Sequence, residues 1–336
     1  MAQGTPDPIT RFEDAPFPRK LVAALLKQGY ESPTPIQAQA WPLAVRGRDV
    51  VAVAKTGSGK TCGFLLPALH LILKRGACAA PDMEMVDGRF RPAAVVPHAI
   101  VLAPTRELAI QIGDECAKFC PAAGAKVVTL YGGASKGDQL RALRSGADVL
   151  VATPGRLHDF LAPPPGFSAP VSARNAHYVV LDEADEMLSR GFEREVAAVL
   201  ETCYQDDGVN KFGGTVQFCF AAATMAEEGP ILSAFRRGAD GLRWVSTAHF
   251  GGLHPQLRQR VREVHGEEGR RRELLRALAE DKTRRALVFC SSPEEADACA
   301  EHCNASGYVA MSFHGKTADR GVALDEFFNG DLPVLA

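Results

Sequence analysis

No run of apolar residues in this 336-residue sequence is long enough to cross a bilayer, because the longest, Cys62 to Leu73, is broken by Pro67 and His70. The stretch Met1 to Lys20 lacks the apolar core of a signal peptide; it is polar and carries Pro6, Pro8, Pro16 and Pro18. No internal repeat period is visible. An excess of charge of one sign is missing too: 38 Lys+Arg against 40 Asp+Glu leaves −2. The chain as a whole is therefore not a basic nucleic-acid binder, although local patches are open to that role. No CxxC pair occurs, and the 9 cysteines, an odd number, are spread from Cys62 to Cys303. That pattern fits reduced thiols better than a disulfide framework. Cys116/Cys120 and Cys299/His302/Cys303 read as small side chains packed on helices, not as zinc ligands. These absences predict a soluble intracellular protein, of nucleus or cytoplasm, with no membrane partner.

Hydrophobic residues make up 46% and charged residues 23% of the chain, enough to bury a core. The length predicts roughly two domains. From Leu21 to Leu181, short apolar runs alternate with helical periodicity. Leu21, Val22, Leu25 and Leu26 form one helical face that stops at Gly29. Asp49 to Ala54, Ala99 to Ala103, Lys126 to Leu130, Asp148 to Ala152, Tyr178 to Leu181 and Val216 to Ala221 read as buried strands, with helical stretches between most of them. Such alternation implies an α/β fold, a parallel sheet with helices on both faces. Residues 75–98, 163–176 and 205–214 read as surface loops, the first a mobile insertion or an interaction site. Gly251, Gly252 and Pro255 mark a boundary. An Arg-rich stretch, 258–285, and three further strand-like runs at 286–290, 308–312 and 332–336 then begin a second α/β domain.

The strongest chemical signal is Ala54-Lys55-Thr56-Gly57-Ser58-Gly59-Lys60-Thr61, between a strand and a helix. Gly57 and Gly59 let backbone N–H groups turn inward around phosphates, Lys60 can reach the β/γ-phosphates, and Thr61 can hold Mg²⁺. A Gly/Ser turn with an exposed lysine is the bland alternative. The second signal is Tyr178-Val179-Val180-Leu181-Asp182-Glu183: an apolar strand delivers two carboxylates at its carboxyl end, where ligands sit in parallel sheets. One can hold Mg²⁺ and the other can orient or deprotonate a water. The two signals together point to a nucleotide.

Asp182-Glu183-Ala184-Asp185 resembles the signature of the DEAD-box ATP-dependent RNA helicases, and other segments match that family in order. Phe12 with Gly29-Tyr30 through Pro33-Thr34-Pro35-Ile36-Gln37 is similar to its Q motif. Ala54 to Thr61 is similar to motif I, which in this family starts with Ala. Pro104-Thr105-Arg106-Glu107-Leu108-Ala109 resembles motif Ia. Gly132-Gly133 and Thr153-Pro154-Gly155-Arg156 resemble the next two RNA-facing motifs, and Arg190-Gly191-Phe192 also fits. The resemblance implies a RecA-like ATP-binding domain at 41–248, preceded by a Q-motif segment at 1–40 that packs on it. A linker at 249–257 and a partial RecA-like domain at 258–336 follow.

The resemblance also implies roles. Gln37 reads the adenine edge, its amide matching N6 and N7, and Phe12 packs beside the base. Ala54 to Thr61 bind ATP; Thr61 and Asp182 hold Mg²⁺; Lys60, Asp182 and Glu183 carry the chemistry, with Glu183 positioning the attacking water. Pro104, Thr105, Arg106, Gly132, Gly133, Thr153, Pro154, Gly155 and Arg156 hold the RNA backbone, which carries little sequence information. Asp185, Ala222 and Thr224 couple hydrolysis to movement between domains.

Three departures stand out. The family's Ser-Ala-Thr motif III reads Ala222-Ala223-Thr224, losing a hydroxyl that would bond toward the DEAD carboxylates. His314-Gly315 resembles a second-domain motif whose expected Gln and Arg are Asp319 and Val322. The sequence stops at Ala336, before the segments where the family carries the arginines that reach the γ-phosphate. An arginine finger is worth roughly 10³ to 10⁵ in rate, so this polypeptide is expected to bind ATP–Mg²⁺ and hydrolyse it slowly. The leading expectation is an RNA helicase. The second is an ATP-gated RNA clamp or scaffold among ribonucleoprotein partners.

Overall fold

The computed structural model describes residues 5–86, 88–163, 168–203, 216–224, 242–247, 260–280, 285–317 and 320–336. The chain divides into two compact units, Met1–His254 and Pro255–Ala336. The expected linker at 249–257 and the expected loop at 205–214 lie outside the described residues.

In the first unit α1 (Arg19–Lys27) and α2 (Pro35–Ala44) precede β1 (Val50–Val53) and α3 (Lys60–Arg75). A hairpin, β2 (Met83–Val86) and β3 (Arg89–Pro92), occupies the segment expected to be a loop. Then come β4 (Ala99–Leu102), α4 (Arg106–Ala123), β5 (Val127–Leu130), α5 (Lys136–Leu143), β6 (Val149–Ala152) and α6 (Pro154–Leu161). The unit continues with β7 (Tyr178–Asp182), α7 (Ala184–Ser189), α8 (Glu193–Cys203), β8 (Gln217–Ala222) and β9 (Arg243–Ser246). Seven strands form one parallel sheet in the order β5-β6-β4-β7-β8-β1-β9. Its strands are short and mostly apolar, and β1, β4, β6 and β7 are buried along their whole length. That is what a sheet covered on both faces requires. One face packs on α1 to α4 around Trp41, Leu65 and Phe119; the other carries Leu157, Val196 and Phe218.

The N-terminal segment is part of this unit. Phe12 and Phe17 pack on Trp41 with ring centroids 6.1 and 5.0 Å away, and Ile9 N donates to Ala38 O at 3.0 Å. On α1, Leu21 and Leu25 are buried, but Leu26 is 48% exposed, so the apolar face is narrower than expected.

The second unit contains α9 (Gly266–Glu280), β10 (Ala286–Leu287), α10 (Pro293–Ala305), β11 (Ala310–Met311), α11 (Arg320–Phe328) and β12 (Val334–Leu335). Its three strands are parallel in the order β10-β12-β11, each shorter than the apolar run that predicts it. Of the Arg-rich stretch, Gly266–Glu280 is helical as α9, none of whose side chains is buried; Arg262 pairs with Glu273 and Glu280 on its surface.

Candidate functional site

Every strand of the large sheet points its carboxyl end to the same edge, and the chemistry-bearing loops leave from there. Between β1 and α3 the chain turns through Gly57 (φ +73°) and Gly59 (φ +86°). A Cβ on Gly59 would lie 2.5 Å from Gln37 Nε2, so this glycine is required by both its backbone and its neighbour. Gln37 uses each end of its amide: Thr34 N donates to Oε1 at 3.0 Å, and Nε2 donates to Gly59 O at 3.0 Å. The side chain thus ties α2 to the loop and keeps one N–H and one lone pair for a further partner.

Lys60 lies over the same loop, with Nζ donating to Ala54 O and, at 3.0 Å, to Lys55 O. Burial lowers its pKa, and Asp182, Glu183 and Asp185 oppose that. The Ser58 hydroxyl is buried without a hydrogen-bond partner among the described residues. A cleft of about 570 Å³ opens beside the loop. Gly57, Gly59, Lys60 and Thr61 form one wall, Asp182 and Glu183 close one end, and Gln37 and Thr34 lie beside the loop. Tyr30, Cys62, Gln111 and Glu115 also line it. Glu115 Oε1 accepts from Tyr30 Oη at 3.0 Å and from Cys62 Sγ at 3.5 Å, and Lys118 pairs with its other oxygen.

The carboxylates are held in unlike ways. Asp182 ends β7 and is 4% exposed; Glu183 N donates to its Oδ1 at 3.1 Å. Burial pushes its carboxyl up to about 6, against the pull of Lys60. Glu183 has φ +51°, a left-handed conformation that non-glycine residues seldom adopt. Its carboxyl is pushed up to about 7, first by burial and then by the adjoining Glu186 carboxyl. A strained, half-buried acid with a pKa near neutrality is suited to taking a proton from water.

A second strip runs along the carboxyl ends of β4, β5 and β6. Thr105 caps α4, its hydroxyl accepting from Leu108 N at 3.2 Å. The Arg106 guanidinium lies 5.5 Å from the centre of the Tyr131 ring. A Cβ on Gly133 (φ +80°) would sit 3.5 Å from Arg106 Nη1. Arg156 donates to Ala134 O at 3.3 and 3.4 Å. The turn 131–134 thus gathers Arg106, Gly133 and Arg156, with Gly132, Thr153 and Gly155 beside them on exposed or half-exposed backbone.

A DEAD/DEAH box helicase family profile matches residues 34–230. The chain belongs to this family. The ATP-dependent RNA helicase dbp2 of Botryotinia fuckeliana is 35% identical over 338 residues, covering 98% of this chain and 53% of that protein. A probable ATP-dependent RNA helicase, ddx17 of Dictyostelium discoideum, is 34% identical over 336 residues, covering 98% of this chain and 39% of that protein. The chain spans about half the length of the curated relatives it matches. The crystal structure of the RNA-helicase Prp28 from Chaetomium thermophilum bound to ADP is similar at a TM-score of 0.56 and 32% identity, over 98% of this chain and 72% of that one. A DEAD box protein from Methanococcus jannaschii is similar at a TM-score of 0.56 and 28% identity, over 98% of this chain and 80% of that one. The seven-stranded parallel sheet with its helices accordingly takes the RecA-like fold of the helicase family.

Within this helicase frame, several sequence expectations need correction. Phe12 does not line the cleft; it is 1% exposed against Trp41, because an aromatic ring gains more from the core than from an open wall. The aromatic at the cleft is Tyr30. Pro104 and Pro154 are buried, so they shape the starts of α4 and α6 and offer no surface. The altered motif III retains a bond to the DEAD segment: Thr224 donates to Asp185 Oδ2 from its N at 3.0 Å and from its Oγ1 at 2.8 Å. Ala222 is fully buried beside β1, its carbonyl accepting from Ala54 N at 3.1 Å. Glu115 and Gln111 were not legible as site residues, since nothing in the sequence marks which face of α4 meets the cleft. His314 accepts at Nδ1 from Lys316 N at 3.2 Å and bonds Asp297 through Nε2, and Asp319 lies outside the described residues. Among the described residues no cluster of metal-ligand type is present, and no helix is long and apolar enough to cross a membrane.

Proposed function

We propose that the first unit binds ATP with Mg²⁺ in the cleft and that the chain acts as an ATP-dependent RNA helicase. The observation that carries this reading is the convergence of Lys60, Thr61, Asp182 and Glu183 on one cleft beside a glycine-turned loop. Lys60 rests on carbonyls of its own loop, and a phosphate would exchange those two contacts for charge-assisted ones. Inward-facing N–H groups and the start of α3 favour the same anion. The remaining donor and acceptor of Gln37 suit the adenine edge. Thr61 and Asp182 offer hard oxygen atoms on the cleft wall for Mg²⁺, which would neutralise phosphate charge when bound. Glu183 orients the attacking water and accepts its proton.

Arg106, Gly133, Thr153 and Arg156 hold the sugar–phosphate backbone of single-stranded RNA, so recognition is independent of sequence. Asp185 and Thr224 link the DEAD segment to the end of β8, and a nucleotide-dependent change at Asp182 and Glu183 would be felt there. The reading extends to 41–248 as the ATP-binding domain and 258–336 as part of the second helicase domain. Ribonucleoprotein remodelling is the wider role, with other components of such particles as partners.

The test is ATP turnover by this polypeptide with and without single-stranded RNA, beside Glu183→Gln. RNA-stimulated turnover that falls on the order of 10²- to 10⁴-fold in the variant supports the reading. Turnover unaffected by Glu183→Gln would overturn it.

A further inference from the structure

The hairpin β2–β3 plays no part in the cleft or the RNA strip. It enters the sheet at the amino end of β4, the edge opposite the one that carries both sites. Its root is firmly tied: Cys78 N donates to the Asp148 carboxylate, Cys78 Sγ donates to Val96 O at 3.1 Å, and His98 Nε2 bonds Gly76 O at 3.1 Å. Val95 pairs with Val171, Val95 N donating to Pro170 O at 3.0 Å and Ser172 N to Val95 O at 2.8 Å. The register sets Met83 opposite Pro92 and Met85 opposite Phe90. These four side chains therefore share one face, and Met83, Met85 and Phe90 are 59%, 65% and 68% exposed. A ribbon tied at its root that shows only apolar side chains on one face is a presented surface.

We infer that the free edge of β2 is a docking site for an extended segment of a partner protein whose residues alternate apolar and basic. Three observations choose this occupant. Ala93 N donates to Asp82 O, so Asp82, Glu84 and Val86 face β3, and the N–H and C=O groups of Met83 and Met85 point outward. The opposite edge carries Pro92, which lacks an N–H and blunts strand addition there; β2 has no such block. On the face away from the methionines the register places Asp82 and Glu84 on the β2 side and Arg89 and Arg91 on the β3 side, so a strand added at the β2 edge lies beside the acids, which basic residues complement, and away from the arginines. The apolar face exposes roughly 400 Å², against about 800 Å² per partner in a standard interface. A second copy held by this patch alone would fall short, whereas strand addition supplies main-chain hydrogen bonds as well.

The probe is a fluorescein-labelled nonapeptide alternating lysine and valine, titrated into the full chain and followed by anisotropy. We expect saturable binding that slows amide exchange at Met83 and Met85. Met85→Pro and, separately, the double substitution Met83→Glu, Met85→Glu should weaken it at least about tenfold. Thermal midpoint and nucleotide binding of both variants should stay unchanged, because the ribbon lies outside the core. The same peptide with alternate backbone nitrogens methylated should not bind, and a glutamate–valine peptide should bind at least about tenfold more weakly. Equal binding of the glutamate peptide, or binding unaltered by the variants, overturns the proposal. So does sedimentation showing a dimer that the methionine substitutions dissolve, which would make a second copy the occupant.

Discussion

One methyl group at position 59 tests the geometry of the cleft. Gly59→Ala places a Cβ 2.5 Å from Gln37 Nε2 at φ +86°, so the side chain, the loop or both must shift. We expect nucleotide affinity to fall at least about tenfold while the thermal midpoint moves by only a few degrees. An unchanged affinity would mean that Gln37 and the loop are not a fitted pair. A second residue-scale prediction concerns His177, which is 5% exposed and stacks on His98 with ring centroids 5.8 Å apart. Burial first, then the charges of Arg75 and His98, lowers its pKa to about 4. A histidine depressed below its ordinary value near 6.5 contributes stability that is present above that pH. The contribution is lost as pH falls toward about 4. Thermal melts between pH 7 and 4 should therefore show a shallower acid loss for His177→Asn than for the parent chain; parallel curves would contradict the assignment.

At the scale of elements, α1 separates what periodicity reveals from what packing decides. Leu25 and Leu26 lie on the same predicted face, yet the first is 1% exposed and the second 48%. Leu25→Ala should cost about 2–5 kcal/mol and Leu26→Ala less than about 0.5 kcal/mol, measured by denaturant unfolding. Equal costs would place the helix differently on α4. Most strands of the large sheet were legible because burial on both faces demands continuous apolar runs. β9 was not, because its Arg243-Trp244-Val245-Ser246 buries only Val245 at the sheet edge. The hairpin escaped notice because Met83, Met85 and Phe90 are separated by charged residues and meet only through pairing. The loop 54–61 and the carboxylates at 182–183 were legible because close backbone approach and a strand-end acid restrict residue choice locally. Phe12 was not, since an aromatic ring in a polar segment reads the same whether it faces a base or the core. Thr224 makes a contact that the loss of a hydroxyl at position 222 had put in question, because a neighbouring side chain reaches the same acid.

Over the whole molecule, a net charge of −2 coexists with a local pairing of arginines. Arg106 and Arg156 stand at one sheet edge with the exposed turn 132–133 between them. If they hold RNA phosphates, Arg106→Ala or Arg156→Ala should weaken binding alike for all sequences. Each should reduce the slope of log affinity against log salt by about 1. An unaltered slope would move the RNA path elsewhere. The loops proposed to face RNA and nucleotide both leave the carboxyl edge of one sheet, while the hairpin leaves the amino edge, so a partner there would leave the cleft open. The central claim is that the cleft of the first unit seats an adenine nucleotide. Calorimetric titration of the chain with ADP and GDP in the presence of Mg²⁺, beside Gln37→Ala, tests it most directly. One ADP per chain, at least about tenfold tighter than GDP, with that preference lost in Gln37→Ala, is the predicted result. Absence of ADP binding, or equal binding of the two nucleotides by the parent chain, would contradict it.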